Sequence, residues 1–217
     1  MMTEEERENI RIQYKFDFGN GREARFEMNL DGETLDCVDP LPPGPPAWVK
    51  LEYHQCPHCP LSAKTEANCP LAIRLSGMVE VLDQVVSYDE VHVEVTTDER
   101  FVSLDTSAQK GISSLMGLMM ATSGCPHTAF FKPMARFHLP FAQQEETLYR
   151  ATSMYLLAQY FVKNEGQEPD LELNGLTRIY ERIETLNVAI ANRLRHANET
   201  DSAVNAVVIL DMYAKSY

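Results

Sequence analysis

One dipeptide occurs four times in the chain: Cys56-Pro57, Cys59-Pro60, Cys69-Pro70 and Cys125-Pro126. Only four residue types commonly hold transition metals in proteins, and the cysteine thiolate is the one that suits both zinc and iron–sulfur clusters. Cys56 and Cys59 form a Cys-x-x-Cys turn, which presents two sulfurs to one ion. Nine residues separate Cys59 from Cys69, and fifty-five separate Cys69 from Cys125. The later pair can complete a tetrahedral set. Each following proline restrains its cysteine to extended geometry and removes one amide, so the ligand loops lose less entropy on gathering round a metal.

The expectation from these residues is a four-cysteine site made of Cys56, Cys59, Cys69 and Cys125. Zinc is the first choice and a 4Fe-4S cluster the alternative, because four thiolates satisfy either. If all four bind, the site is closed and offers no position for a reacting water. Three metal-free readings stand beside it. The cysteines can be ordinary buried residues. Cys56 and Cys59 can act as a redox pair, or Cys125 can act as a nucleophile with His127 or His138 as its base. His54, His58 and His127 lie close enough in sequence to serve as substitute or supporting ligands. The remaining thiol, Cys37, has no following proline and is expected to have no role.

Residues 113–141 combine small residues, methionines, three prolines and four basic or imidazole side chains. His127, Lys132, Arg136 and His138 would form a local positive cluster able to receive a small anionic ligand. The blander reading pairs Lys132 and Arg136 with the abundant acids. The chain carries a formal net charge of −13, so neither nucleic acid nor an anionic membrane surface is an expected partner. The start of the chain is acidic and lacks the apolar stretch of a signal peptide. The most apolar run, residues 112–121, is too short to span a bilayer. A cytoplasmic protein is expected, where thiols stay reduced and clustered cysteines point to metal or redox chemistry.

The elements that must position these residues follow from periodicity. Residues 9–30 read as a β-hairpin: Ile10, Ile12, Tyr14, Phe16 and Phe18 alternate with polar residues, and Gly19-Asn20-Gly21 supplies the turn. Five prolines within residues 40–46 predict a stiff irregular crossover. Residues 48–53 are expected to be a third strand leading into Cys56. Leu71, Leu75, Met78, Val79 and Leu82 predict a helix after Cys69-Pro70, and residues 91–104 a second hairpin. The second half reads as helices over 107–123, 141–164, 175–197 and from 200 or 201 to just short of 217. Thr106-x-x-Gln109 resembles a capping box for the first, with Gly124 capping its far end. Met116, Met119, Met120, Met154, Tyr155, Tyr160 and Phe161 are expected in the core.

The fold class is therefore α+β. Residues 1–106 form an antiparallel sheet with one helix and carry Cys56, Cys59 and Cys69. Residues 107–217 form an antiparallel helical bundle and carry Cys125. No linker separates them, so a shared metal would clasp two packed halves.

Two strings have a wider resemblance. Tyr53-His54-Gln55-Cys56-Pro57-His58-Cys59-Pro60-Leu61 is one. Ala121-Thr122-Ser123-Gly124-Cys125-Pro126-His127-Thr128-Ala129-Phe130, continuing through Pro133-Met134-Ala135-Arg136-Phe137-His138-Leu139-Pro140, is the other. With Asp201-Ser202-Ala203-Val204-Asn205-Ala206, they resemble an uncharacterised bacterial protein family. That resemblance implies a bacterial, cytoplasmic protein and supplies no activity.

Overall fold

The computed structural model describes residues 9–19, 21–82, 84–197 and 201–215. Its first element is the expected hairpin, β1 (Ile10–Asp17) and β2 (Glu23–Leu30), paired antiparallel with Tyr14 opposite Phe26. Gly19 and Gly21 both take positive φ in the turn, the conformation that an L side chain resists. Asn20 lies outside the described residues. A second hairpin, β3 (Glu90–Thr97) and β4 (Phe101–Ser107), pairs through β3 onto β1. The sheet is antiparallel throughout, in the order β2-β1-β3-β4.

The sheet is two-faced, as its alternation requires. Ile12, Tyr14, Phe16, Val91, Val93 and Val95 are buried on one side. On the other, Lys15 pairs with Glu23 and Glu94, and Arg11 with Glu27. The buried side receives α2 (Ala108–Ala121). Gly111 lets that helix approach closely: a Cβ there would stand 2.9 Å from both Phe16 Cε1 and Val93 Cγ2. The helix starts at Ser107 without a side-chain cap, so the expected Thr106–Gln109 capping box is absent. Ala108 and Gln109 instead donate their amides to the carbonyls of Asp89 and Ser87, so two first-turn donors already have backbone partners.

Before α2 comes α1 (Pro70–Val81), with Cys69 at its N-cap and proline at its first position. Residues 48–53 are not a strand. Ala47–Val49 is a single 3-10 turn, followed by further turns. The carbonyls of Trp48, Lys50 and Leu51 all converge on one side chain, Arg193. Successive carbonyls of a strand point in opposite directions, so a strand cannot offer Lys50 and Leu51 to one donor.

The remaining helices are α3 (Lys132–Arg136), α4 (Gln144–Asn164), α5 (Asn174–Ala197) and α6 (Ser202–Ala214). Helix α4 begins three residues later than periodicity suggests. Phe141 takes a positive φ of 59°, which ends any helix there, and Gln143 and Glu146 form a capping box beyond it. Helices α2, α5 and α6 pack tightly, and one apolar core runs from the sheet through α1 and α2 to Leu186, Ile190, Leu194 and Ala206. A smaller cluster joins α4 to α5 through Ala151, Tyr155, Leu176, Tyr180 and Ile183. Met116, Met120 and Tyr155 are buried as expected. Tyr160 and Phe161 are not, being 58% and 57% exposed. Leu148, Tyr149 and Leu157 of the same helix are exposed as well. Among the described residues no helix is long and apolar enough to cross a membrane.

Candidate metal centre

The CPHC loop is a turn closed by the Cys59 amide donating to the Cys56 carbonyl at 3.0 Å. Cys69 is fixed separately: its amide donates to Val49 O at 2.8 Å, beside the bridge between Lys50 and Asn68. Cys125 sits just past α2. Gly124, at φ +83°, turns the chain; Ser123 Oγ then accepts the Cys125 amide at 3.2 Å, and the Cys125 carbonyl accepts the Thr128 amide at 3.1 Å.

These three pieces of chain meet. Cys69 and Cys125 are buried in the main core, and Cys56 and Cys59 pack against it. All five cysteines are free thiols. Burial, together with repulsion from the neighbouring Cys69, Cys125 and Cys59 thiolates, pushes the Cys56 thiol up to about 12. Cys125 is pushed up to about 11 by burial, with Cys69 and Cys59 again adding to the rise. Each sulfur thus lies within electrostatic range of others. Among the described residues, however, no group of three or more His, Cys, Asp or Glu side chains is arranged to hold a metal ion.

The two Cys-Pro-His strings lie against one another. The rings of His58 and His127 are 4.1 Å apart between centroids, and His127 Nε2 lies 3.1 Å from the His58 carbonyl. His58 Nε2 lies 3.1 Å from Arg182 O, which ties the loop to α5. Burial holds His127 below the usual imidazole value, and His58 lowers it further. His54, at a positive φ of 45°, turns outward to the ring of His196, 4.8 Å away.

The expected positive cluster is dispersed. Lys132 pairs with Asp36 at 2.7 Å and donates to Thr34 O. Arg136 lies over the Phe137 ring. His138 is half-buried, 2.5 Å from the Tyr14 hydroxyl, and desolvation, helped by Arg150, lowers its pKa to about 3. At neutral pH it carries no charge. Cys37 lies off the cluster, its thiol donating to Asp39 Oδ2 at 3.3 Å.

Arg193 is the residue that motif reading misses. It is 1% exposed, yet it is a guanidinium, which stays charged in proteins. Its Nη1 donates to Trp48 O and Lys50 O at 2.7 and 2.8 Å, and its Nη2 to Leu51 O at 2.9 Å. Among the described residues no carboxylate pairs with it; the groups that favour its charged form are Cys69, Cys56, Cys59 and Tyr53. Burial works against that charge. A signal existed: position 193 follows Ile190 by three on the apolar stripe of α5, where the helical period calls for a core residue.

A family described as a domain of unknown function (DUF6901) matches residues 12–217. The chain belongs to this family. No curated protein matches the chain. No solved structure matches it either. The match to DUF6901 thus covers the sheet but for the first two residues of β1, every described helix and all four Cys-Pro pairs, and it assigns a reaction to none of them.

Proposed function

We propose that Cys56, Cys59, Cys69 and Cys125 bind one zinc ion, which fastens the loops of the sheet-rich half to the helical half. The observation that carries this reading is the position of Arg193. A buried guanidinium without a carboxylate costs several kcal/mol unless a negative group lies beside it. The groups around it are thiols. A zinc ion held by four thiolates carries a net charge of about −2, which is the partner such a cation lacks. The four protonated thiols supply no such charge.

The donor set fits zinc in type and number. Because no metal-holding group is preformed among the described residues, binding requires the sulfurs to turn inward as they lose their protons. That coupling is common for structural zinc. The backbone anchors at Cys59, Cys69 and Cys125 then fix where each loop begins, and the His58–His127 contact fixes the two Cys-Pro-His strings side by side. In this reading the protein is a zinc-stabilised, non-enzymatic scaffold of the bacterial cytoplasm. Its acidic surface suits a protein partner better than nucleic acid.

The test is anaerobic purification of the full chain, followed by elemental analysis and a visible spectrum. One tightly held zinc per chain and a colourless solution are expected, with loss of zinc when any of the four cysteines becomes serine. A brown preparation would mean an iron–sulfur redox or sensor protein instead. A folded, metal-free protein that takes up no zinc overturns the proposal. Selective alkylation of Cys125 near neutral pH would then favour the thiol-enzyme reading with His127 or His138.

A further inference from the structure

A cavity of about 420 Å³ lies between the end of β4, the length of α2, the α3 segment and residues of α4, α5 and α6. Leu118, Phe131, Met134 and Ile183 give it a mostly apolar wall. It falls in the size range of small-molecule sites. At about 30 Å³ for each heavy atom of a packed liquid, it admits a ligand of roughly a dozen non-hydrogen atoms.

Asn187 lines this cavity and is 1% exposed. Among the described residues neither its amide nitrogen nor its amide oxygen has a hydrogen-bond partner. A buried amide left unpaired is costly, and native structures rarely keep one without use. Position 187 again falls on the apolar stripe of α5, four residues after Ile183 and three before Ile190. A leucine there would have satisfied the packing. The amide supplies a donor and an acceptor that no described protein group answers.

The charges on the wall narrow the ligand. Arg150 lines the cavity and is held by Nη2 bonds to Met134 O and Phe137 O at 2.9 and 2.8 Å. It makes no ion pair among the described residues, although Glu146 acts on it electrostatically. Lys110 stands exposed at the edge, also without an ion pair among the described residues. The acid on the wall, Asp105, points away to His92, 2.7 Å from its Nδ1. His138 is held neutral. In a chain of net charge −13, this wall carries two cations against one outward-facing acid.

We propose that the cavity binds a medium-chain monocarboxylate, with its aliphatic tail against the apolar wall and its carboxylate hydrogen-bonded by the Asn187 amide in the field of Arg150 and Lys110. A neutral alcohol of the same length lacks the charge, and an amine carries the wrong one. The site is separate from the cysteines, although Thr128 touches both: it lines the cavity, and its hydroxyl donates to Met120 O and to Cys125 O.

The test is calorimetric titration of the full chain, near neutral pH, with decanoate, decanol and decylammonium. Saturable binding of one decanoate per chain is expected, with decanol at least about tenfold weaker and decylammonium weaker still. Asn187→Leu should raise the melting temperature of the ligand-free protein and weaken decanoate at least about tenfold. Gly117→Leu, which adds bulk on the cavity wall next to Leu210, should abolish binding. No saturable decanoate binding to the native protein overturns the proposal, as does decanol binding equally well. Asn187→Leu binding decanoate with unchanged affinity does so too. The native ligand series decides the matter even if a variant fails to fold.

Discussion

The imidazole rings of His58 and His127 stack at 4.1 Å with a tilt of 34°, and each belongs to a Cys-Pro-His string from a different half of the chain. The contact is the direct link between the CPHC loop and the loop after α2. His127→Ala removes both the ring contact and the bond to the His58 carbonyl. If the cysteines hold zinc, the variant should surrender it to a competing chelator with an apparent affinity lower by about ten- to a hundredfold. Unchanged retention would show that the loops need no such brace.

Arg193 should be the least replaceable side chain of α5. Arg193→Leu leaves the carbonyls of Trp48, Lys50 and Leu51 without their donor. A loss of about 3 kcal/mol or more in urea unfolding is expected. Arg193→Lys should recover little, because an ammonium on a flexible stem cannot reproduce a planar fork reaching three carbonyls. Near-native stability of the lysine variant would contradict the clamp.

Acid should weaken the fold through His138. Its folded pKa is lowered to about 3 by burial and by Arg150, and the same side chain has an ordinary imidazole value when unfolded. Tyr14 and, through it, Ser114 face the ring and stay neutral. The unfolded chain therefore binds the proton first. The contribution is intact above about pH 6.5 and is lost as pH falls toward about 3, at up to about 1.4 kcal/mol per pH unit. His138→Gln should flatten the stability profile across that window. An equally steep profile in the variant assigns the acid sensitivity elsewhere.

Gly111→Ala tests the approach of α2 to the sheet. The added methyl would meet Phe16 and Val93, both fully buried, at 2.9 Å. Alanine favours a helix by about 1 kcal/mol over glycine, but overpacking should outweigh that and leave a net loss of about 1–2 kcal/mol. A stabilised variant, measured by thermal unfolding, would mean that the helix can slide outward.

Much of this was legible in the residues. The alternation of Ile12, Tyr14 and Phe16 marks β1, and the period of Leu71, Leu75 and Met78 marks α1, because a one-sided core writes itself into spacing. The Cys-Pro strings were legible for a similar reason: a rare dipeptide used four times stands out. What stayed hidden depends on partners distant in sequence. Trp48 to Leu51 has the look of a strand until Arg193 draws its carbonyls together. Tyr160 and Phe161 have the composition of core residues, and only the packed structure shows that α4 leaves both exposed. Asn187 and Arg193 were visible as polar residues on an apolar stripe, yet only the packed helices show what each one faces.

The clamp at Arg193 bears on how the chain matures. A nascent chain leaves the ribosome N-terminus first, so the three carbonyls that it satisfies emerge long before α5 does. Until then they face water, and the turn that anchors Cys69 has no lock. The sheet-rich portion is therefore unfinished when it first appears, and its completion waits for nearly the last helix to be synthesised. A fragment ending at residue 106 would contain three of the four Cys-Pro pairs and nearly all of the sheet, and still lack the residue that closes it.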